Sequence, residues 1–363
     1  MDTGDHLVAK GRCSIPAAPW SGRGVKDREA SSVSSPAGLA APGLRWYRGD
    51  LHVHSVYSHA AELTPEQLAS EARKARLDFL VTTEHNSAAA HDIWRSLSSD
   101  DLLVILGQEV TTQSGHWLAL GIEPGQVVDW RYGVRDEVIE EHVDAVHRSG
   151  GVCVVAHPYA SYRTGRFLYP FEDFDVLEVW NGSWKSDLPW QADNEAALRT
   201  WAQGLAAHLP LNRWRPSIGS SDTHLRGQIG SPQTVVLAEE LSAAAILAGI
   251  RAGRCWIAGS AGVELAFTAS ATAGAAGPGE RLRTDGRLVE VRAEVQGVPM
   301  GEVSLHTDRG TVHCESLDAD GSGAVRWCTD ANESAFVRVE VRHRDGAMAA
   351  LANPVTLAGR RRT

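Results

Sequence analysis

Seven histidines and two carboxylates lie at or shortly after the ends of strand-like segments, and this pattern restricts the fold more than any other feature. The segments read GDLHVHS, TTEHN, GQEVTT, GHWLALG, VVAHP and SSDTH, and the residues are His52, His54, His59, His85, Glu109, His116, His157, Asp222 and His224. Neutral imidazole and carboxylate are ligands that Zn, Mn and Fe prefer. Because nine ligands are too many for one ion, the set predicts a hydrolytic cluster of two or three divalent metal ions, Mn, Zn or Fe. A purely structural zinc site usually uses cysteine and closes at four ligands, which this set does not fit.

Strand-like and helix-like segments alternate between Tyr47 and about residue 258. The first helix-like segment, TPEQLASEARKA, has Thr64 as its N-cap and Pro65 at its first helical position. Short, nearly all-apolar strands between helices are typical of a parallel sheet covered on both faces, in a barrel or in an open doubly wound sheet. Only a closed barrel brings so many strand ends around one point. We therefore expect an irregular α/β barrel with the nine residues at its C-terminal face.

Composition divides the chain into three predicted parts. Residues 1–43 are rich in Ala, Ser, Pro and Gly without periodicity, which predicts a flexible extension. Residues 44–258 are expected to form the barrel. From Gly259 onward, alternating strands such as RLVEVRAEVQG and AFVRVEVRH are separated by DG and GSG turns, so residues 259–363 are expected to form an antiparallel β-sandwich. No histidine of this last part falls in a ligand-like cluster, and we expect the sandwich to provide structure, a pocket wall or a partner surface.

Charge and apolar content restrict the expected partners. The formal net charge of -10 argues against a nucleic acid or an anionic membrane, since either needs a basic patch on the protein. No window approaches 18 apolar residues, and the N-terminus lacks the pattern of a signal peptide. Five cysteines without CxxC spacing are more typical of a cytoplasmic protein than of a disulfide framework. We expect a soluble, cytoplasmic protein that acts on a small anionic molecule, and the oligomeric state stays open.

With these residues assembled, the chain resembles the PHP (polymerase and histidinol phosphatase) superfamily of metal-dependent hydrolases. GDLHVHS, TTEHN, QEV, AHP and SDTH match its successive motifs in order, over about residues 45–258. The arrangement of GQEVTTQSGHWLALG, EVWNG and ALANPV looks most like the CehA/McbA branch, which is named for a carbaryl hydrolase. The resemblance implies a distorted, seven-stranded TIM-like barrel, (β/α)7, with two or three metals at its C-terminal face.

The resemblance also implies individual roles for the motif residues. The HxH motif gives His52 and His54 as ligands of one metal, and Glu109 is the bridging carboxylate. The other implied ligands, which serve neighbouring metals and complete the shell, are His85, His116, His157, Asp222 and His224.

Two positions depart from the family pattern. Glu84 stands where many members have the aspartate of TDH, and Ser58, His59 and Ala60 stand where many have SDG. Because histidine is also a good ligand, His59 is expected to hold a third metal with altered affinity. The longer Glu84 side chain is expected either to shift a contact behind the ligands or to add a ligand.

The chemistry of such a cluster favours anionic substrates. Three divalent ions would bring six positive charges against the two negative charges of Glu109 and Asp222, and metals lower the pKa of bound water toward neutrality. Our first hypothesis is a phosphoesterase that acts on a small phosphorylated metabolite through a metal-activated hydroxide, supported by Asp222, His224 and Glu109. The second is a carbamate, ester or amide hydrolase at the same metals. The third is a non-catalytic metal-binding module, although the apparently complete ligand set argues against it.

Residues near the motifs provide further candidates. Asp50, two residues before the HxH motif, either accepts an imidazole hydrogen bond and fixes a ligand tautomer or caps the strand end. Arg163 and Arg166 follow the AHP motif, where a guanidinium could bind a phosphate through two parallel hydrogen bonds. Asn181 in VWNG either contacts substrate or a metal-bound water or forms a turn. The tryptophans of this region either pack in the core or line a leaving-group pocket; they are Trp180, Trp184 and Trp190.

Overall fold

The computed structural model describes residues 43–186, 188, 191–209 and 213–359. The predicted flexible extension, apart from Gly43, and Trp190 lie outside the described residues. Within the described ranges the chain forms five α-helices, which are Pro65–Lys74 (α1), His91–Ser96 (α2), Ile139–Arg148 (α3), Asn194–His208 (α4) and Ala243–Arg251 (α5).

Nine strands of the first part lie side by side in one sheet, in the order β9-β8-β1-β2-β3-β4-β5-β6-β7. They are Arg45–Val53 (β1), Phe79–Thr82 (β2), Leu103–Thr112 (β3), Gly115–Leu120 (β4), Val152–Val155 (β5), Val176–Asn181 (β6), Ser217–Ser220 (β7), Gln233–Ala238 (β8) and Cys255–Ala258 (β9). The chain after β7 returns to β1, because Val53 and Thr223 form a parallel bridge and the His54 N–H donates to the Thr223 carbonyl at 3.2 Å. The strand ends that carry the outermost motifs are therefore neighbours in space.

This sheet is mixed, so the expectation of a parallel sheet is wrong. Strands β3 and β4 follow each other directly, and β4 is antiparallel to both β3 and β5. Only two residues separate them, and so short a connection can join only antiparallel neighbours. Gly115 begins β4 with a φ of 119°, and a Cβ there would lie 2.6 Å from the Phe167 Cα, so glycine is required. The chain is a mixed α/β protein, as expected, whereas the (β/α)7 barrel stays a prediction.

Helix α1 shows how the local sequence determines an element. The Thr64 side chain accepts a hydrogen bond from the Gln67 backbone N–H, and the Gln67 side chain accepts one from the Thr64 N–H. This reciprocal capping box, with Pro65 in the first turn, confirms the predicted start of the helix. Its apolar face is buried against the first sheet through Leu68 and Ala72. Burial of that stripe, more than intrinsic propensity, stabilises so short a helix.

Ten further strands form the C-terminal part, and they are Glu264–Ala271 (β10), Gly274–Ala276 (β11), Arg281–Arg283 (β12), Val289–Gln296 (β13), Glu302–Thr307 (β14), Gly310–Ser316 (β15), Gly323–Thr329 (β16), Phe336–Arg342 (β17), Met348–Ala352 (β18) and Val355–Ala358 (β19). Four of them make a separate antiparallel sheet, β11-β10-β13-β16. Side chains of this sheet, such as Phe267 and Val291, share one buried apolar cluster with Val339 of β17. Two packed sheets are thus present, as in the expected sandwich.

The second sheet of this part departs from the expected antiparallel sandwich in two ways. Strands β12 and β19 are parallel. In addition, β18 pairs with β9, with Ala350 opposite Ala258, so the sheet continues from the first part into the second. Hydrogen bonds thus join the two sides of the predicted boundary between residues 258 and 259, and the division into domains stays a prediction.

Two observations bear on the expected location of the protein. None of the described helices combines the length and the apolar character that crossing a lipid bilayer requires. Cys153 and Cys255 are buried free thiols, and Cys314 is an exposed one. The cytoplasmic location stays a prediction.

Candidate metal centre

Eight of the nine predicted ligands meet at one end of the first sheet. His52 lies near the end of β1 and His54 directly follows it, while Glu109 lies near the end of β3. The residues that follow β2, β5 and β7 are His85, His157, Asp222 and His224. His116 belongs to the start of β4. Because β4 runs antiparallel to its neighbours, its first residues meet the last residues of the other strands. The hairpin that breaks the parallel sheet therefore brings His116 to the same end.

The carboxylate of Glu109 lies at the centre of this group and is almost fully buried. One oxygen, Oε1, is 2.8 Å from His116 Nδ1 and 3.0 Å from His157 Nε2. The other oxygen, Oε2, faces three more imidazole nitrogens at 2.8 to 3.6 Å, the Nε2 atoms of His85, His54 and His52. A carboxylate whose two oxygens face separate sets of imidazoles has the arrangement of a bridging ligand.

The donor atoms next to Asp222 fit a divalent ion. Asp222 Oδ1 lies 3.1 Å from His54 Nε2 and 3.3 Å from His52 Nε2. All three atoms are buried, and none has a hydrogen-bond partner among the described residues. Burying one such group without a partner costs about 1–3 kcal/mol, which an ion between them would offset. The donor set and these unpartnered atoms together fit a metal.

Three groups of donors could each hold an ion, since the ligand atoms within each group lie within 4.8 Å of one another. The first contains His54, His85 and His224, the second contains His52, His54 and Asp222, and the third contains His52, Glu109 and His157. The groups share His52 and His54, so the number of ions does not follow from the geometry.

The charges of the site favour ionised carboxylates, whereas the pKa values of the ligand histidines are lowered at some positions and raised at others. Burial alone would raise the pKa of Glu109, but the surrounding imidazoles outweigh it and hold that pKa well below its usual range. The pKa of Asp222 is lowered in the same way by His52 and His54. Burial also lowers the pKa of His54 well below its usual range. In contrast, the nearby carboxylates overcome burial at His52 and raise its pKa, so an ion bound there would displace a proton.

Glu178 of β6 is the residue behind the ligands that the sequence did not single out. Its Oε1 accepts hydrogen bonds from His52 Nδ1 at 3.2 Å and from the Ser220 hydroxyl at 2.6 Å. Its Oε2 accepts one from the backbone N–H of His157 at 2.7 Å. Holding the proton on Nδ1 leaves His52 Nε2 directed to the cluster. The available signal was a glutamate within the apolar run DVLEVW, since a charged residue is rarely buried unless it has a partner.

Asp50 does not make the predicted contact with an imidazole. Its carboxylate accepts three backbone hydrogen bonds instead, from His52 at 3.3 Å, Ser221 at 3.0 Å and Gly230 at 2.8 Å. Burial raises the pKa of Asp50 to about 6, although these hydrogen bonds oppose the rise. Asp50 therefore holds the backbone on both sides of the cluster, and Glu178 takes the role expected of it.

Glu84 is a contact behind the ligands rather than an added ligand. Its carboxylate accepts hydrogen bonds from the Ser55 backbone and hydroxyl, from the Ser58 hydroxyl at 2.5 Å and from Trp94 Nε1 at 3.0 Å. The Ser58 hydroxyl in turn accepts the Nδ1 hydrogen of His54 at 3.1 Å. Glu84 thus fixes the tautomer of His54 through Ser58, with Nε2 left for an ion.

His59 is exposed and belongs to none of the donor groups in the described chain, contrary to the sequence expectation. The backbone turns back at this point, because the Ser58 N–H donates to the Ser55 carbonyl at 2.7 Å. This turn buries Ser58 beside His54 and leaves the next residue facing solvent. Ser58 therefore occupies the inward position that His59 was expected to take.

The predicted substrate-binding residues differ in their surroundings. Arg163 and Arg166 are exposed on the loop after β5, and their guanidinium groups have no partner among the described residues. The Asn181 amide donates to Asp222 Oδ2 at 3.3 Å and to Glu178 Oε2 at 3.2 Å, so its hydrogens are already used in orienting carboxylates. Trp180 and Trp184 are buried core residues.

Tyr162 lies over the cluster and was overlooked in the sequence. Its ring centre is 5.8 Å from that of His116 and 6.4 Å from that of His157, while 37% of the residue stays exposed. Burial, together with the charge of Glu109, raises the pKa of its phenol. The phenol is therefore a neutral hydrogen-bond donor at the open side of the site. The available signal was an aromatic residue in the loop that follows AHP.

Another group of three donors, His147, Cys153 and Asp175, lies at the opposite end of β5. The His147 Nε2 is 2.8 Å from Asp175 Oδ2, and the Arg251 guanidinium is 3.7 Å from the other carboxylate oxygen. Burial raises the pKa of the Cys153 thiol well above its usual range. A protonated thiol and a nearby guanidinium do not suit a cation, and we assign no metal to this group.

Comparisons with known proteins bear mainly on the fold. The model of the PHP-associated family matches residues 203–255, from α4 to β9, and no curated protein matches the sequence. The structure is similar to that of a two-domain protein from Bacteroides vulgatus, which is described as containing a predicted PHP-like metal-dependent phosphoesterase. The alignment covers 92% of this chain and 100% of that protein's chain, with 17% identity and a TM-score of 0.50. A Bifidobacterium adolescentis protein, whose assignment as a metal-dependent phosphoesterase is itself only suggested, aligns over 53% of this chain and 90% of its own, with 20% identity and a TM-score of 0.36.

The family-model match is confined to residues 203–255 of this chain. At 17% identity the likeness to the two-domain protein concerns the fold alone, and the likeness to the second protein is too weak to carry an argument.

Proposed function

We propose that this chain is a metal-dependent hydrolase of the PHP superfamily, most like the CehA/McbA branch, and that it cleaves phosphoesters of small molecules. The observation that carries the proposal is the convergence of three buried, unpartnered donor atoms, on His52, His54 and Asp222, beside the central carboxylate of Glu109. We also propose that β1–β7 form the distorted (β/α)7 barrel, because the chain after β7 returns to β1.

Two or three divalent ions, Mn, Zn or Fe, are the proposed cofactors. When bound, they would supply a water of lowered pKa and positive charge for the oxygens of an in-line displacement. Glu109 and His54 would each help to hold more than one ion, because both Glu109 oxygens face imidazoles and His54 belongs to two donor groups. His59 is left out of the proposed ligand set, since it is exposed.

The substrate is proposed to enter from the side of His85, Asp222 and His224, whose side chains are 21 to 24% exposed. Tyr162 lies beside His116 and His157, and its neutral phenol would donate a hydrogen bond to a phosphoryl oxygen. Arg163 and Arg166 belong to the same loop as Tyr162, and their unpaired guanidinium groups suit an anionic substrate. Asn181 is proposed to orient Asp222 rather than to bind substrate.

A second function is favoured by apolar side chains near the site. Large exposed apolar residues occur on the loops that follow the ligand-bearing strands, and they include Val56, Tyr57, Tyr162, Leu168 and Leu225. In addition, Glu178 contributes a third carboxylate to the two that the sequence analysis counted, which lowers the excess positive charge. Both features suit a substrate with an apolar group, such as an aryl carbamate or ester, which needs less positive charge than a phosphate.

The test is hydrolysis by protein reconstituted with Mn, Zn or Fe, on matched panels of aryl phosphomonoesters, phosphodiesters, carbamates, esters and amides. We expect metal-dependent release of phosphate from monoesters, lost in His52→Ala and reduced in Tyr162→Phe with unchanged metal content. Preferential turnover of carbamates or esters would favour the second function. Metal binding without turnover on any panel would contradict both and favour a non-catalytic module.

A further inference from the structure

We propose that the C-terminal part holds the metal ligand Asp222 in position through two hydrogen-bonded routes, one from Arg342 and one from Asn353. The inference rests on the proposed metal site, and it assigns a role to strands that contribute no ligand. Arg342 ends β17, and Asn353 lies between β18 and β19. Both are therefore positioning residues, which act on the site through other side chains.

The first route begins with a paired contact between Arg342 and the first turn of α4. The two terminal guanidinium nitrogens of Arg342 donate to the two carboxylate oxygens of Glu195, at 2.6 and 3.3 Å. The same guanidinium lies 5.5 Å from the centre of the Trp184 ring, whose Nε1 also donates to Glu195, at 2.9 Å. Because the pair is partly exposed, its main contribution is geometric: a bidentate contact fixes the orientation of both partners.

Asn194, the residue before Glu195 in α4, connects this contact to the site. Asn194 is almost fully buried, and its amide oxygen accepts the backbone N–H of Asn181 at 3.0 Å while its nitrogen donates to the Asn181 carbonyl at 3.1 Å. The side chain of Asn181 then donates to Asp222 Oδ2 at 3.3 Å and to Glu178 Oε2 at 3.2 Å. The contacts between Arg342 and Asp222 thus form an uninterrupted series, through Glu195 and Asn194 of one helix turn.

The second route reaches Asp222 along β7. Asn353 is fully buried, and its amide oxygen accepts the backbone N–H of Ser217 at 2.8 Å. Its nitrogen donates to the carbonyls of Ser217 and Cys255, at 3.0 and 3.1 Å. Ser217 is the first residue of β7, which leads directly to Asp222. Asn353 is the asparagine of ALANPV, the sequence feature outside the first part that the proposed function does not use.

The backbone at Asp222 explains why such support is needed. Its φ of 49° lies in the left-handed region, which costs less for aspartate than for most residues with a Cβ but still favours a backbone that its surroundings hold. The Asp222 side chain is also 21% exposed, more than Glu109 at 1%. A ligand must be oriented closely to bind tightly, and contacts behind the ligand provide that orientation.

The decisive experiment compares Arg342→Met with Arg48→Met, and it measures metal dissociation constants by competition with a chelator. Arg48 of β1 is a matched control, because it also joins the two parts of the chain, through Glu264 at 2.8 Å, and also lies against a tryptophan ring, that of Trp256 at 5.6 Å. We expect Arg342→Met to weaken the binding of one ion by about tenfold, the lower end of the effect of residues behind a ligand. Arg48→Met should change it less than about twofold, with a comparable loss of thermal stability.

A double variant tests the route itself. If Glu195 carries the constraint, then Arg342→Met combined with Glu195→Gln should weaken metal binding no more than the stronger of the two single changes. Native metal affinity in a folded Arg342→Met variant, judged by near-ultraviolet circular dichroism, would overturn the route from Arg342. A wild-type chain that binds metal without hydrolysing anything would contradict the proposed function alone, since the affinity comparison needs no activity. A wild-type chain that binds no divalent ion would overturn both.

Discussion

At the scale of the residue, hydrogen bonds behind the ligands decide which nitrogen faces the cluster in three of the ligand histidines. His52 Nδ1 donates to Glu178, His54 Nδ1 to Ser58, and His224 Nδ1 to the backbone carbonyl of Asp222 at 2.9 Å. In all three cases Nδ1 carries the proton and Nε2 is left for an ion. The donors of the cluster are thus oriented before any ion binds, which lowers the cost of binding it.

The sharpest prediction at this scale concerns Glu178, which orients His52. In Glu178→Gln the charge behind His52 is lost, and an amide hydrogen would face either the imidazole or the His157 N–H. We expect metal affinity to fall by about 10- to 100-fold, measured by chelator competition. Glu315→Gln, on the exposed strand β15, is the control and should bind metal as the wild type does. Equal affinities in the two variants would show that Glu178 does not orient His52.

A second prediction concerns His59, at which the expectation from the sequence and the structure disagree. His59 was expected to be a ligand and is exposed, whereas His54 is buried within two donor groups. We expect His59→Ala to keep the full metal content and His54→Ala to lose most of it, measured by elemental analysis after gel filtration. A clear loss of metal in His59→Ala would restore it to the ligand set.

At the scale of the element, the sequence predicts local segments better than their direction or their partners. The start of α1 follows from Thr64 and Pro65 alone, because a capping box needs only neighbouring residues. The antiparallel direction of β4 was not predicted, although the two residues between β3 and β4 were a usable signal. Glu178 takes the role suggested for Asp50, because the partner of His52 comes from β6, 126 residues away in sequence. Such pairings depend on strand order, which periodicity does not reveal.

One element-scale prediction concerns the start of β7. Asn353→Ala would leave the Ser217 N–H and the carbonyls of Ser217 and Cys255 without their buried partner. Since each such group costs about 1–3 kcal/mol, we expect the free energy of unfolding to fall by about 3 kcal/mol or more, measured in urea. Asn332→Ala, at an exposed turn, should change it by less than about 0.5 kcal/mol. A small effect at Asn353 would mean that water replaces its contacts.

At the scale of the whole molecule, the two parts share both a sheet and a core. Strand β9 pairs with β18, and Phe336, Met348 and Leu351 of the C-terminal part belong to the same buried cluster as Trp180 and Trp201 of the first part. The sequence indicated a boundary near residue 258 because alternating helix-like and strand-like segments give way there to strands separated by turns. It could not indicate that the two parts are interdependent, because a shared core is visible only when both faces of an interface are known.

A truncated chain that ends at Ala258 tests this interdependence. Removing β18 would leave β9 as an unpaired edge, and removing Met348 and Leu351 would uncover Trp180, which is buried in the full chain. An exposed edge and an uncovered apolar surface both favour aggregation. We expect residues 44–258 alone to aggregate, measured by light scattering, or to lack a cooperative thermal transition, measured by circular dichroism. Residues 44–363 should stay soluble and unfold cooperatively. A truncated chain that folds cooperatively but binds metal more weakly than the full chain would separate the positioning of Asp222 from folding. One that folds and binds metal as the full chain does would contradict the positioning role of the C-terminal part.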